Sequence, residues 1–161
     1  MERIWAPWRL VYIQADKTGE CVFCHAAAHP ELDREDFLLW RGEHAFVILN
    51  RFPYSNGHLL VLPYQHVASI EALDGETLTE MMGMAQRCLA LLRRTLRPDG
   101  FNIGINLGEA AGAGIAAHVH MHIVPRWNCD TNFMPVLANT RVIPEFMEST
   151  YETLMQGMKE M

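Results

Sequence analysis

The sequence predicts an α+β fold: an antiparallel sheet of about five strands with one long helix and a C-terminal helix. Three observations carry this. Short strand-like runs recur, the first three are joined by hairpin-length links, and a single long amphipathic stretch interrupts the series. The chain has 161 residues, which fits a single domain over 1–161. Hydrophobic residues make up 50% and charged ones 20%, a balance that supports a packed core and argues against disorder.

The elements follow in order. Residues 1–20 read as irregular, with "APW" extended and "DKTGE" a turn, and "CHAAAHPELD" holds a short helical piece before Pro30. "FLLWR" (37–41), "HAFVILN" (44–50) and "GHLLVLP" (57–63) read as strands, linked by "RGEH" and "RFPYSNG". Asp74 is the expected N-cap of the long helix. Leu78, Met81, Met82, Ala85, Cys88, Leu89, Leu92 and Leu96 repeat at helical spacing until "RPDG". "FNIGINL" (101–107) alternates, with Phe101, Ile103, Ile105 and Leu107 on one face and Asn102, Gly104 and Asn106 on the other. "HVHMHIV" (118–124) alternates in the same way, and a Gly/Ala loop joins the two runs. The last helix is expected to start near Pro144.

Composition narrows the function. Net charge is −6, and no basic run or RNA-binding aromatic motif occurs, so no nucleic acid partner is expected. No apolar run reaches the ~20 residues of a membrane helix, so no membrane partner is expected either. The start, "MERIWAPWRLVYIQ", lacks the apolar stretch of a secretory signal, which points to a cytoplasmic protein. A few arginines and backbone amides still suffice to hold a small phosphate ligand.

"AHVHMHIVPRW" puts His118, His120 and His122 at every second position. On a strand they would share one face at about 6.5–7 Å intervals, too far apart to bind one metal unaided. The neighbouring run supplies Asn102, Gly104 and Asn106 as a small, polar pocket floor. The glycines of residues 108–114 permit conformations in which successive N–H groups cradle an anion. Together these describe a phosphate-handling site. A lone histidine is usually a hydrogen-bonded surface residue; three in register beside a glycine loop are not read that way. "CVFC" is the other anomaly. Cys21 and Cys24 supply two soft ligands, zinc takes four, and no second C-x-x-C exists, so histidines must complete a site. His25, His29, His44, His58, His66 and His118 are candidates by residue type. A redox pair is disfavoured without a thioredoxin-like βαβ context. Cys88, on the helix stripe, reads as a core residue.

"HVHMHIVP" resembles the His-φ-His-φ-His-φ-φ signature (φ apolar) of the histidine triad nucleotide-binding superfamily. "FVILNRFPYSNGHLLVLPYQHV" is similar to the N-terminal half of that family. "WAPWR", "CVFC", "GFNIGINLG", "AAGAG" and "HVHMHIVPRWNCDTNFM" resemble its bacterial diadenosine tetraphosphate phosphorylase-like, or ATP adenylyltransferase-like, branch. The likeness covers roughly residues 3–147.

The resemblance implies specific roles. His120 is the nucleophile that forms a covalent nucleotidyl-histidine, a role that suits a neutral imidazole at pH 7. His122 contacts phosphate oxygens and His58 supports the triad. Asn50 meets the ribose, Asn106 the phosphates, and Ala113, Gly114 and Trp127 complete the substrate-binding set. Matching to zinc-containing relatives gives Cys21, Cys24, His66 and His118 as ligands of a structural zinc, which anchors the N-terminal segment against the catalytic strand. The implied reaction is phosphorolysis of diadenosine tetraphosphate to ATP and ADP, with nucleotide and phosphate as small-molecule partners. A hydrolase of dinucleoside polyphosphates or nucleoside phosphoramidates is the alternative, and a low-turnover nucleotide-binding module a third. Members of the family form homodimers whose sheets join. Two positions depart from the pattern. Gly114 stands where hydrolase members carry Gln, Ser or Thr, and Cys129 where this branch more often has glycine.

Overall fold

Runs of leucine, valine and isoleucine punctuated by Gly, Pro and Asn specify strands joined by turns. In the computed structural model, which describes residues 21–130 and 142–161, the sheet has five strands: β1 (Leu38–Arg41), β2 (Ala45–Leu49), β3 (Leu59–Pro63), β4 (Gly100–Ile105) and β5 (Met121–Arg126). The order is β1-β2-β3-β5-β4, with every neighbouring pair antiparallel. Among the described residues three α-helices accompany it: α1 (Val22–Ala28), α2 (Gly75–Thr95) and α3 (Met147–Lys159). The expected α+β architecture is the observed one. The readings of residues 1–20 lie outside the described residues, as does the end of the "HVHMHIVPRWNCDTNFM" motif beyond Asp130.

Both faces of the central strands are covered, which is why β2 and β3 are apolar throughout rather than alternating. Val47, Leu49, Leu59, Val61, Met121 and Ile123 pack on the side of α2. Phe46, Ile48, Leu60 and Leu62 pack on the other side, with Phe23 and Ala26 of α1. No helix among the described residues is long and apolar enough to cross a membrane.

α2 starts as expected: the Asp74 side chain accepts the Thr77 N–H at 2.7 Å, and this bond holds the carboxyl below its usual range. Its buried stripe differs from the sequence reading. Leu78 and Met82 are 39% and 56% exposed, while Met84 and Leu91 join Met81, Ala85, Cys88 and Leu92 in the core. The helix is apolar over more than one face, and only the sheet and α3 decide which face is covered. Cys88 is buried as expected, and burial pushes its thiol up to about 12, leaving it inert. α3 begins at Met147 rather than near Pro144. Before it, the Glu145 carboxylate accepts from Thr150 Oγ1 and Asn56 Nδ2, which ties the lead-in to the β2–β3 loop. Along β4, Phe101 and Ile105 pack on the core, but Ile103 is 47% exposed and Leu107, just beyond, 40%. β4 is the outer strand of the sheet, so apolar alternation there does not ensure burial.

Candidate active site and metal centre

The strand expected over 118–124 begins only at Met121. The ladder stops there on both sides: Val61↔Met121 ends the pairing with β3 and Ile105↔Met121 ends that with β4. β3 closes on Pro63, which has no N–H to extend the pairing. The Val119 N–H is taken instead by the Val67 carbonyl at 2.7 Å. His118 and His120 therefore sit on the lead-in and His122 on the strand, yet the expected alternation holds: Val119, Met121 and Ile123 pack on the α2 side, while Phe23 of α1 touches His118 and His120. The His120 and His122 ring centroids lie 4.8 Å apart.

Neighbouring groups fix the tautomer of each histidine, and His120 differs from the others. His118 donates Nε2–H to the Pro63 carbonyl at 2.9 Å, leaving Nδ1 as a lone pair. His120 donates Nδ1–H to the His118 carbonyl at 2.8 Å, leaving Nε2 as a lone pair. His58 Nδ1 accepts the Tyr54 backbone N–H at 3.0 Å. Its Nε2 must then carry the proton and donate to His122 Nδ1, also at 3.0 Å. His122, accepting at Nδ1, presents an Nε2–H. Burial lowers the pKa of His120 despite the carbonyl partner. Burial, with His120 second, lowers His122 to about 4. The pair thus offers one neutral lone pair and one neutral donor side by side.

The cysteine and histidine anomalies meet at one point. The ligand atoms of Cys21, Cys24, His66 and His118 all lie within 4.8 Å of one another. Individual Sγ–Nδ1 distances are 3.5 Å for Cys21–His118, 3.2 Å for Cys24–His66 and 3.6 Å for Cys24–His118. A tetrahedral site with metal–sulfur and metal–nitrogen bonds near 2.3 and 2.05 Å has S–N edges of about 3.5 Å. The donor set therefore fits a metal ion, with the His118 lone pair already turned to it. Of the candidates by residue type, His25 and His29 stack on each other instead, His44 lies near Glu76, and His58 belongs to the His122 relay.

A cavity of about 740 Å³ opens beside His122, with Asn102, Gly104 and Asn106 along one wall and Tyr54, Arg126 and Trp127 among the rest. Asn102, Gly104, Asn106 and Trp127 thus line one cavity. Asn106 Nδ2 lies 3.5 Å from His122 Nε2, too far for a strong bond. His120 is 5% exposed and is not among the residues that line this cavity. Asn50 is not on the cavity either: its Oδ1 accepts the Phe52 N–H and its Nδ2 points to His58 Nδ1. Ala113 and Gly114 stand on the loop after Gly112, where the backbone turns left-handed at φ 88°. The sequence reading missed Tyr54, whose ring stacks on His122 at 5.5 Å and 20°. It also missed Phe23, whose ring sits 5.4 Å from His118 and 5.2 Å from His120. Phe23 lies between the two cysteines, so its place in "CVFC" was the available signal.

A protein-family model described as "HIT domain" matches residues 31–128. The chain belongs to the HIT family. Within that family it is similar to an AP-4-A phosphorylase of Mycobacterium tuberculosis, 34% identical, covering 96% of this chain and 83% of that one. A bis(5'-adenosyl)-triphosphatase of Dictyostelium discoideum is 33% identical over 63% of this chain and 67% of its own. Among solved structures, a Zn-bound histidine triad family protein of Mycobacterium smegmatis superposes with a TM-score of 0.70 at 31% identity, covering 88% of this chain and 94% of that one.

Two features of this HIT chain follow from the geometry. Cys129 has a backbone φ of 65°, the left-handed region that glycine adopts without strain, and is exposed. This explains physically why glycine suits that position. The second concerns pH. An unfolded histidine protonates near its ordinary value of 6.5, whereas His122 in the fold resists protonation down to about 4. Its contribution to stability is thus complete above about pH 6.5, declines as pH falls, and levels off below about 4, in total on the order of 3 kcal/mol. Denaturant unfolding of wild type and His122→Asn across that window should show the difference between them narrowing toward acid. Curves that stay parallel would contradict the assignment.

Proposed function

We propose that the chain is a nucleotidyltransferase that cleaves diadenosine polyphosphates by phosphorolysis through a nucleotidyl-His120 intermediate. The carrying observation is the tautomer pair: a neutral Nε2 lone pair on His120 beside a neutral Nε2–H on His122. In the first step His120 Nε2 attacks the α-phosphorus of diadenosine tetraphosphate, a P–N bond forms, and the P–O bond to the departing ATP breaks. His120 keeps its Nδ1–H on the His118 carbonyl, which spreads the positive charge gained by the ring. His122 donates to a phosphoryl oxygen as charge builds on it, with Asn106 beside it. In the second step an oxygen of inorganic phosphate attacks the same phosphorus, the P–N bond breaks, and ADP leaves with His120 neutral again.

Zinc is the metal this reading assigns to Cys21, Cys24, His66 and His118, because two thiolates and two imidazoles at tetrahedral spacing suit it. Bound there it cross-links the N-terminal segment to the lead-in of β5 and has no open position for chemistry. A homodimer through the outer edge of β4 belongs to the same reading, supported by exposed Ile103 and Leu107.

The test is product analysis. With phosphate, diadenosine tetraphosphate should give ATP and ADP in equal amounts; without it, turnover should stop after roughly one equivalent of ATP. AMP appearing at the same rate without phosphate would establish the hydrolase instead, for which the Dictyostelium relative is the precedent. Gly114, which offers no side chain to a leaving group, supports the phosphorylase.

A further inference from the structure

α1 carries the metal-binding cysteines at its start, yet nothing local explains why it stands where it does. It has seven residues and no side-chain cap at its N-terminus. Isolated helices shorter than ~12–15 residues are marginal in water. Its last-turn carbonyls also need partners. His29 Nδ1 meets the His25 carbonyl at 2.8 Å. The next two are taken by one side chain from the sheet: Arg41 donates to the Ala26 carbonyl at 2.7 Å and to the Ala27 carbonyl at 2.9 Å. Asp33 holds the guanidinium in place, with Nε and a terminal nitrogen donating to its two oxygens at 2.6–3.3 Å.

Strict alternation along β1 would turn Arg41 the wrong way. Leu38 packs on the α1 side, so Leu39 and Arg41 would share the α2 side. The pairing of β1 with β2 instead shifts register between Leu38 and Trp40. Leu39 and Trp40 both pack on the α2 side, Trp40 with Arg87 of α2 over its ring at 4.5 Å. The alternation then resumes with Arg41 facing α1. Such bulges re-aim side chains, and here the re-aimed side chain is the one that grips the metal-bearing helix.

We propose that Arg41, aimed by this bulge and oriented by Asp33, is a positioning residue for the metal centre. It fixes the C-terminal end of α1, so that Cys21 and Cys24 meet His66 and His118 already arranged. The proposal rests on the metal reading above and goes beyond it by naming what presets the thiolates. Lys in place of Arg41 supplies one point charge and cannot bond two carbonyls and a carboxylate in a plane.

The test is zinc transfer from the full-length protein to a chromophoric chelator, measured for wild type, Arg41→Gln, Arg41→Lys and Asp33→Asn. Arg41 reaches the cysteines only through α1, so zinc affinity should fall by about 10-fold in both Arg41 variants, the low end of the loss when a partner bonded to a ligand is removed. Asp33→Asn keeps the guanidinium and should fall less, and it serves if the Arg41 variants do not fold. Affinities equal to wild type, with only a lower unfolding temperature, would mean a purely structural arginine and overturn the proposal. A wild-type protein that holds no zinc would overturn the metal reading itself, a separate outcome.

Discussion

His120→Ala should lower turnover of diadenosine tetraphosphate by about 10⁴-fold or more, the scale seen when a covalent nucleophile is removed. The size follows from the lack of a substitute. His118 has its lone pair at Nδ1 among the cysteines, and His122 has its own committed to His58. Neither can present a lone pair where His120 Nε2 stands. The fold should survive, since the deletion removes one ring against Phe23 and one bond to a carbonyl that lies on the same short segment. The measurement is single-turnover ATP release together with intact mass under acid-free quenching. Wild type should gain the mass of an adenylyl group and the variant should not. A variant retaining more than a hundredth of wild-type rate would remove His120 from the chemistry.

Cys24→Ala should cost the fold its metal and lower the unfolding temperature by at least about 10 °C, since structural metal binding contributes directly to folding free energy. Cys24 Sγ lies near both histidines of the set, 3.2 Å from His66 Nδ1 and 3.6 Å from His118 Nδ1, so its loss removes one of the four donors and both of its S–N edges. The effect should reach the triad. Phe23 is held next to Cys24 and touches both His118 and His120, so freeing α1 uncovers the face of the His120 ring. Calorimetry with and without a chelator checks this. The chelator should bring wild type down to the variant and leave the variant unchanged. Equal responses in both proteins would place the metal elsewhere or nowhere.

Much of the site was legible because it is written in residue type and short spacing. Alternating histidines, a glycine-rich loop and C-x-x-C each restrict chemistry before folding. The N-cap at Asp74 is a local bond between neighbours in the chain, so it too could be read directly. What could not be read depends on contacts distant in sequence. Strand β5 was placed too early because its length is set by where β3 and β4 stop, at Pro63 and Ile105. The buried stripe of α2 differs from the expected one at Leu78 and Met82 because this amphipathic helix has apolar residues beyond a single stripe, and the packing partner decides which of them are covered.

The sequence alone determined the α+β class, the sheet of about five strands and which residue types cluster as candidates for chemistry, because hydrophobic period and donor type are local properties. Only the tertiary structure decided which lone pair each histidine offers. That depends on the Pro63 and His118 carbonyls and the Tyr54 N–H, groups every residue type provides and no sequence pattern marks. It also decided that Arg41 faces α1, since one extra residue in a strand reverses every side chain beyond it.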